Sequence, residues 1–213
     1  MLMYASKELR SSQAFMLQAV RFWGSALSLA DKTLKRDREL VLEAVKHYGW
    51  ALQDADTALR GDRGVVMEAV CRHGAALEFA SAELRGDVRV VMAAVTNWGD
   101  ALQFASAGMR GDVGVATAAV KQHGRALGFV TKELRGNGCV VIAALKQDNR
   151  TIVLAAEMLR ADRCFMLEAV RVWGGCLEYA SEDLRADYEV VLEAVKVCGG
   201  VCLPGSVALC VAL

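Results

Sequence analysis

Proline is almost missing: one in 213 residues, with no serine- or glycine-rich stretch to act as a linker. The chain therefore offers no place to divide it, and it reads as a single domain. Charge of one sign is missing too, because 25 Lys and Arg balance 25 Asp and Glu. That counts against a surface that binds phosphates unaided, which needs a basic excess. The seven cysteines are odd in number and irregular in spacing, so no disulfide framework is implied and a reducing, cytoplasmic setting fits best. Cys139 and Cys164 share a register, but stacked repeats hold backbones too far apart for a bridge. The opening MLMYASKELR lacks the basic-then-apolar order of a signal peptide. Without one, the Asn149-Arg150-Thr151 sequon is a chance match.

What the chain does have is a period. Asp37, Asp62, Asp87, Asp112, Asn137, Asp162 and Asp187 stand 25 residues apart, with Ser12 one step earlier in the same register. Seven residues on comes an alanine each time (Ala19, Ala44, Ala69, Ala94, Ala119, Ala144, Ala169, Ala194), followed by valine or, at Leu145, leucine. A period of this length marks a repeat array. The array contains seven complete units over residues 12–186, a partial unit at 1–11, and a partial unit with an apolar tail at 187–213.

The unit from Asp37 to Gly61 predicts an all-α fold, an α-solenoid of tandem helix–turn–helix units. Asp37 is a good N-cap, and Leu40, Val41, Ala44, Val45 and Tyr48 form one apolar stripe. Gly49 follows as a C-terminal cap. Where Asn149 replaces it, the residue next best suited to a left-handed backbone is present. Ala51 to Leu59 predicts a shorter helix with Leu52, Ala55 and Leu59 inward, and Asp56 (Ser81, Ser106, Thr131 and Ser181 in other units) is able to split it into two turns. Ten-residue helices are marginal alone in water, so stability has to come from stacking. Packing at about 8–10 Å per step gives a curved rod on the order of 60–70 Å long. A leucine-rich repeat shares this period, but its L-x-x-L-x-L-x-x-N pattern is absent.

The unit D-x-x-V-V-x-x-A-V-x-x-x-G-x-A-L-x-x-A-S-x-x-L-R resembles a tandem helical repeat family catalogued only as a domain of unknown function, described in blocks of about two units. Asp87 to Arg110, and YASEDLRA before Asp187, match closely. The resemblance covers nearly all of residues 4–200 and weakens over Asn137–Leu159, where Asn149 and Thr151-Ile152 break the G-x-A-L step. It implies repeat architecture and supplies no activity and no functional residues.

Three columns are candidates for function. The residue before each glycine reads Trp23, Tyr48, His73, Trp98, His123, Asp148, Trp173 and Cys198, a ladder able to stack on a partner or to pack between units. The residue after it varies, as Ser25, Trp50, Ala75, Asp100, Arg125, Arg150 and Gly175, either as a ligand-reading position or as drift. Among these an exposed Trp50 is the best contact anchor. Each unit ends in a base, from Arg10 and Lys35 through Arg60, Arg85, Arg110, Arg135 and Arg160 to Arg185. The sequence favours pairing of each base with the aspartate two residues later or with helix-end carbonyls.

No catalytic or metal-binding arrangement is suggested, and no cofactor. His73 and His123 share a register two units apart, and Cys198 and Cys202 lack a second pair. Neither end shows a polar capping unit, and Val197–Leu213 is too short and too broken at Pro204-Gly205 for a convincing membrane span. These ends suggest part of a longer array or end-to-end self-association. The leading expectation is a non-catalytic scaffold that binds a protein or peptide partner on its concave face. The alternatives are a single-stranded nucleic-acid reader using one unit per base, and a non-catalytic segment of a larger enzyme.

Overall fold

The computed structural model describes residues 2–198; expectations for the apolar tail beyond Cys198, Cys202 included, lie outside them. Eight long α-helices recur at the repeat period: Gln13–Phe22, Arg38–His47, Arg63–Arg72, Val88–Asn97, Val113–Gln122, Gly138–Leu145, Arg163–Val172 and Tyr188–Cys198. No strand occurs among the described residues, which removes the leucine-rich-repeat alternative. The fold is an all-α repeat solenoid, in which each long helix packs on the next along the chain.

Each start is fixed as the sequence implies. Asp37 Oδ1 accepts from the N–H groups of Glu39 and Leu40 at 2.9 and 3.1 Å, and Asp162 accepts from Phe165 at 2.7 Å. These are donors that a helix cannot satisfy internally. Leu40, Val41, Ala44 and Val45 are completely buried, whereas Tyr48 lies past the helix end and is partly exposed. Burying four such apolar side chains per unit contributes several kcal/mol of gross stabilisation, and it is available only when neighbouring units cover the stripe.

The second half of the unit is two short pieces rather than one helix. A 3-10 helix comes first, such as Gly49–Asp54, Gly74–Phe79 or Gly99–Phe104. Ala55 is then extended (φ −69°, ψ 152°), and a short turn of helix follows, Leu59–Gly61 in this unit and Ala107–Arg110 two units later. A polar residue caps the second piece in several units, although the split persists where Ala156 stands at that position without a side-chain cap. Asp56 accepts from the Ala58 N–H at 3.1 Å, and Ser106 from Met109 at 3.4 Å. Leu52, Ala55 and Leu59 all point inward. The 3-10 helices stack on one another as a second continuous column beside the long helices.

One expectation is corrected. The repeated glycine is not a left-handed cap. The helix-ending residue before it is extended (Tyr48 φ −150°, ψ 95°), and none of these glycines adopts a positive φ. Close approach is the reason for glycine. A Cβ on Gly49 would lie 2.6 Å from the carbonyl oxygen of Ala69 in the next unit; on Gly74, 2.5 Å from that of Ala94; on Gly99, 2.5 Å from that of Ala119. The recurrent alanine and the recurrent glycine are therefore two sides of one contact between adjacent units. Asn149 needs no left-handed backbone either, since it opens the 3-10 helix Asn149–Leu154 after a shorter long helix that ends at Leu145.

A backbone bond repeats at the opposite corner. Ser81 N–H donates to Arg60 C=O at 2.9 Å, Ser106 to Arg85 at 2.8 Å, Thr131 to Arg110 at 3.2 Å and Ala156 to Arg135 at 2.9 Å. Adjacent units are thus joined by main chain as well as by packing.

Gly74→Ala forces backbone apart and should lower stability by about 2–3 kcal/mol or more. Gly61→Ala meets no atom closer than 3.8 Å, and at a negative φ alanine restricts the unfolded chain, so it should be neutral or stabilising by up to about 1 kcal/mol. Thermal unfolding followed by circular dichroism checks the contrast. Equal losses in both variants would show that glycine serves conformation rather than approach.

Candidate functional site

The residues flanking each glycine come together along one edge, where long helices end and 3-10 helices begin. Tyr48 and His73, one unit apart, meet edge to face at 5.9 Å, and the Gly49 N–H donates to His73 Nδ1 at 3.3 Å. His123 Nδ1 lies 2.7 Å from Asp100 Oδ1, and Arg125 Nε lies 3.1 Å from Asp148 Oδ2. The two columns are therefore one row, with the position after a glycine reaching the position before the next glycine.

Exposure along the row is uneven. Trp23 is 58% exposed, Tyr48 is 37% exposed, and His73, Arg125 and Arg150 are also exposed. Trp98 and Trp173 are partly buried, tilted against Phe104 and Tyr179 at 6.3 and 6.4 Å. Trp50, expected to be exposed, is half-buried and edge-on to Phe79 at 5.7 Å. It is thereby removed as the leading anchor. Phe22 is far more open, at 93% exposure, next to Trp23. A signal for it existed in the sequence, because the same column reads His47, Arg72, Asn97, Gln122 and Gln147 in the following units, and an aromatic there has no stripe to join.

The ion pairs also differ from expectation. The aspartate that caps each helix is not paired with the base two residues before it. Asp62 instead accepts from Arg38 Nε at 2.9 Å, Asp87 from Arg63 at 3.0 Å and Asp187 from Arg163 at 2.9 Å, each arginine standing one unit earlier. Gln13 does the same for Asp37 at 2.6 Å. The Arg38 guanidinium, with the Val65 N–H, holds the Asp62 carboxyl below the usual carboxylate range, and Arg163 with Val190 N–H does so for Asp187. Cap and inter-unit bridge are one carboxylate. The unit-ending arginines are left over. Arg60, Arg85, Arg110, Arg135 and Arg160 make no ion pair among the described residues, and the Nε atoms of all but Arg135 are sealed from solvent without an acceptor. Among the described residues, Lys35 alone of these bases follows the carbonyl alternative, donating to Ser28 C=O at 3.0 Å.

Cys71, Cys139 and Cys164 are exposed free thiols, while Cys176 is buried and its thiol is pushed up to about 12 by desolvation. Among the described residues no group of three or more His, Cys, Asp or Glu side chains is placed to hold a metal ion, and no helix is long and apolar enough to cross a membrane.

Fold and surface together define a helical-repeat solenoid whose units differ mainly along their edges. The family model for "Domain of unknown function (DUF4116)" matches this chain three times, over residues 14–60, 62–110 and 162–203. The chain belongs to that family. The first two matches span two units each, and the unmatched stretch holds Asn149 and Thr151. No curated protein and no solved structure shows significant similarity to it.

Asp62→Ala removes a cap and a bridge together. The cap contributes about 1 kcal/mol. Arg38 is more than half exposed, so the bridge adds only a few tenths to about 1 kcal/mol. Because the folded pKa is depressed, this stability is fully present above the unfolded value near pH 3.9 and is lost as pH falls through the folded value. Urea unfolding of wild type and variant should therefore differ at pH 7 and converge as pH falls through the lowered value of the folded Asp62 carboxyl; a difference that persists in strong acid would place the effect elsewhere.

Proposed function

We propose that this chain is a non-catalytic helical-repeat scaffold that binds a protein or peptide partner. The observation that carries the reading is the row of non-repeating side chains on a repeating frame. The core positions are nearly identical from unit to unit, while Trp23, Tyr48, His73, Trp98, His123 and Trp173 alternate with Trp50, Asp100, Arg125 and Arg150 along one edge. A fixed scaffold with variable edge chemistry is how repeat proteins present extended binding surfaces. Phe22 and Trp23 are large, adjacent and open, the character of residues that dominate binding energy at interfaces. Farther along, the Asp100–His123 and Arg125–Asp148 pairs supply hydrogen-bonding groups that orient a partner rather than anchor it. Zero formal charge weighs against a nucleic-acid reader.

Selection of peptides from a displayed random library, followed by affinity measurement, tests this. Selected peptides should bind Phe22→Ala/Trp23→Ala at least about tenfold more weakly, the loss expected for hot-spot truncation, and should protect backbone amides near residues 22–24, 47–50 and 72–74 from hydrogen exchange. Peptides that bind the variant as well as wild type, or protection confined to another surface, would remove this edge as the binding surface.

A further inference from the structure

We propose that Arg60, Arg85, Arg110, Arg135 and Arg160 form a docking row for an acidic peptide in the polyproline-II conformation, one carboxylate at every third residue. The inference takes from the scaffold reading that the partner is a peptide, and departs from it in the surface used.

Three observations carry it. The first is that these five guanidinium groups are unspent. The residues two positions on, Asp62, Asp87, Asp112, Asn137 and Asp162, are engaged as caps, and Asp62 and Asp87 are also bridged by Arg38 and Arg63 from the preceding unit. Two other bases of the column meet the protein's own acids, Lys35 lying 3.8 Å from Asp54 and Arg185 lying 3.8 Å from Glu182, while Arg10, one unit before Lys35, again has its Nε sealed without an acceptor. The five between Lys35 and Arg185 have no such partner among the described residues.

The second is orientation. Each stem is half-buried, and Nε of Arg60, Arg85, Arg110 and Arg160 is shut off from water. What remains for a partner is the outer edge of the guanidinium, held by packing and partly desolvated. A planar donor edge of this kind takes a carboxylate through paired, charge-assisted hydrogen bonds, and pre-organisation reduces the entropy lost on binding.

The third is pitch. The carbonyls of these residues are tied to the next unit by the main-chain bonds at Ser81, Ser106, Thr131, Ala156 and Ser181, at 2.8–3.2 Å, so the arginines advance with the units. Helices packed side by side are about 8–10 Å apart. A polyproline-II chain advances about 3.1 Å per residue with three residues per turn, so its every-third residues share a face about 9.3 Å apart. Same-face residues of a strand are about 6.7 Å apart, out of step with the row. Seven residues of α-helix rise about 10.5 Å, beyond that range. Exposed acids occur in the same units, at Glu78, Glu83, Glu133 and Glu157. They interrupt the run of positive charge, which counts against a polyphosphate with one charge per nucleotide.

The test is a fluorescence-anisotropy titration of the full chain with a labelled peptide of six Glu-Pro-Pro triplets. It is run alongside a peptide of the same composition with its glutamates clustered at one end, and a single-stranded oligothymidylate of similar length. Saturable binding that weakens with salt is expected for the triplet peptide. It should fall about fivefold for the clustered peptide, and about tenfold for R85Q/R110Q/R135Q, where the charge-assisted bonds are gone. Helical circular dichroism and the thermal midpoint verify that the variant folds. If it does not, Arg110→Lys replaces it, keeping the charge but losing the paired donors, with about threefold weaker binding expected. No binding at low salt, equal affinity for the two peptides, unchanged affinity in the folded variant, or tighter binding of the oligonucleotide each overturns the proposal. Peptides selected on the Phe22–Trp23 edge should bind R85Q/R110Q/R135Q as wild type does, so failure of one surface is separable from failure of the other.

Discussion

The contact between the glycine of one unit and the alanine carbonyl of the next sets the spacing on which everything else in this molecule depends. Gly24, Gly49, Gly74, Gly99, Gly124 and Gly174 all repeat it, with room at the Cα for a hydrogen and nothing larger. In that position a Cα hydrogen points at the carbonyl oxygen, a weak attraction that matters through repetition. The alanine that supplies the carbonyl is buried and small, so the helices approach without a side chain between them. A larger residue on either side would spread the units and uncover the apolar stripe that makes ten-residue helices stable.

Given that spacing, the other regularities follow. The capping aspartate comes within reach of the preceding unit's arginine, and one carboxylate then closes a helix end and ties two units. The corner serines and threonine donate their N–H groups to the unit before. Where the arginine is replaced, the carboxylate tie lapses while the main-chain bond persists. Val88, Val113 and Gly138 occupy the position held elsewhere by the bridging arginine, and Asp112, Asn137 and Asp162 act as caps alone. The unit from Asn137 is also where the long helix is shorter, the glycine is Asn149, and Thr151 is buried with its hydroxyl donating to Asp148 C=O at 2.7 Å. A locally different joint in an otherwise uniform stack gives units on either side scope to differ in stability.

A frame this regular separates stability from recognition. Core positions scarcely vary because each must fit the same two neighbours. The edge positions are free of that demand and carry aromatics, imidazoles, carboxylates and guanidinium groups in turn. On one edge these meet in pairs across units. At another corner the arginines stand singly, spaced by the backbone.

Much of this was legible in the chain. The period, the helix starts at the aspartates, the buried stripe and the all-α class follow from residue types at fixed spacing, because caps and amphipathic faces are local rules. Two readings failed for one reason. Sequence shows partners along the chain, and so suggests a left-handed cap for the glycine and the adjacent base for the aspartate, whereas the glycine meets an alanine carbonyl and the aspartate an arginine of a neighbouring unit. The half-burial of Trp50 and the openness of Phe22 are not legible along the chain, because exposure depends on what the adjacent unit places alongside. By itself, then, the sequence determined what each unit is; only stacking in three dimensions decided what each unit touches, since a bond such as the 2.9 Å one from Arg38 to Asp62, 24 positions on, exists only once the copies are laid against one another.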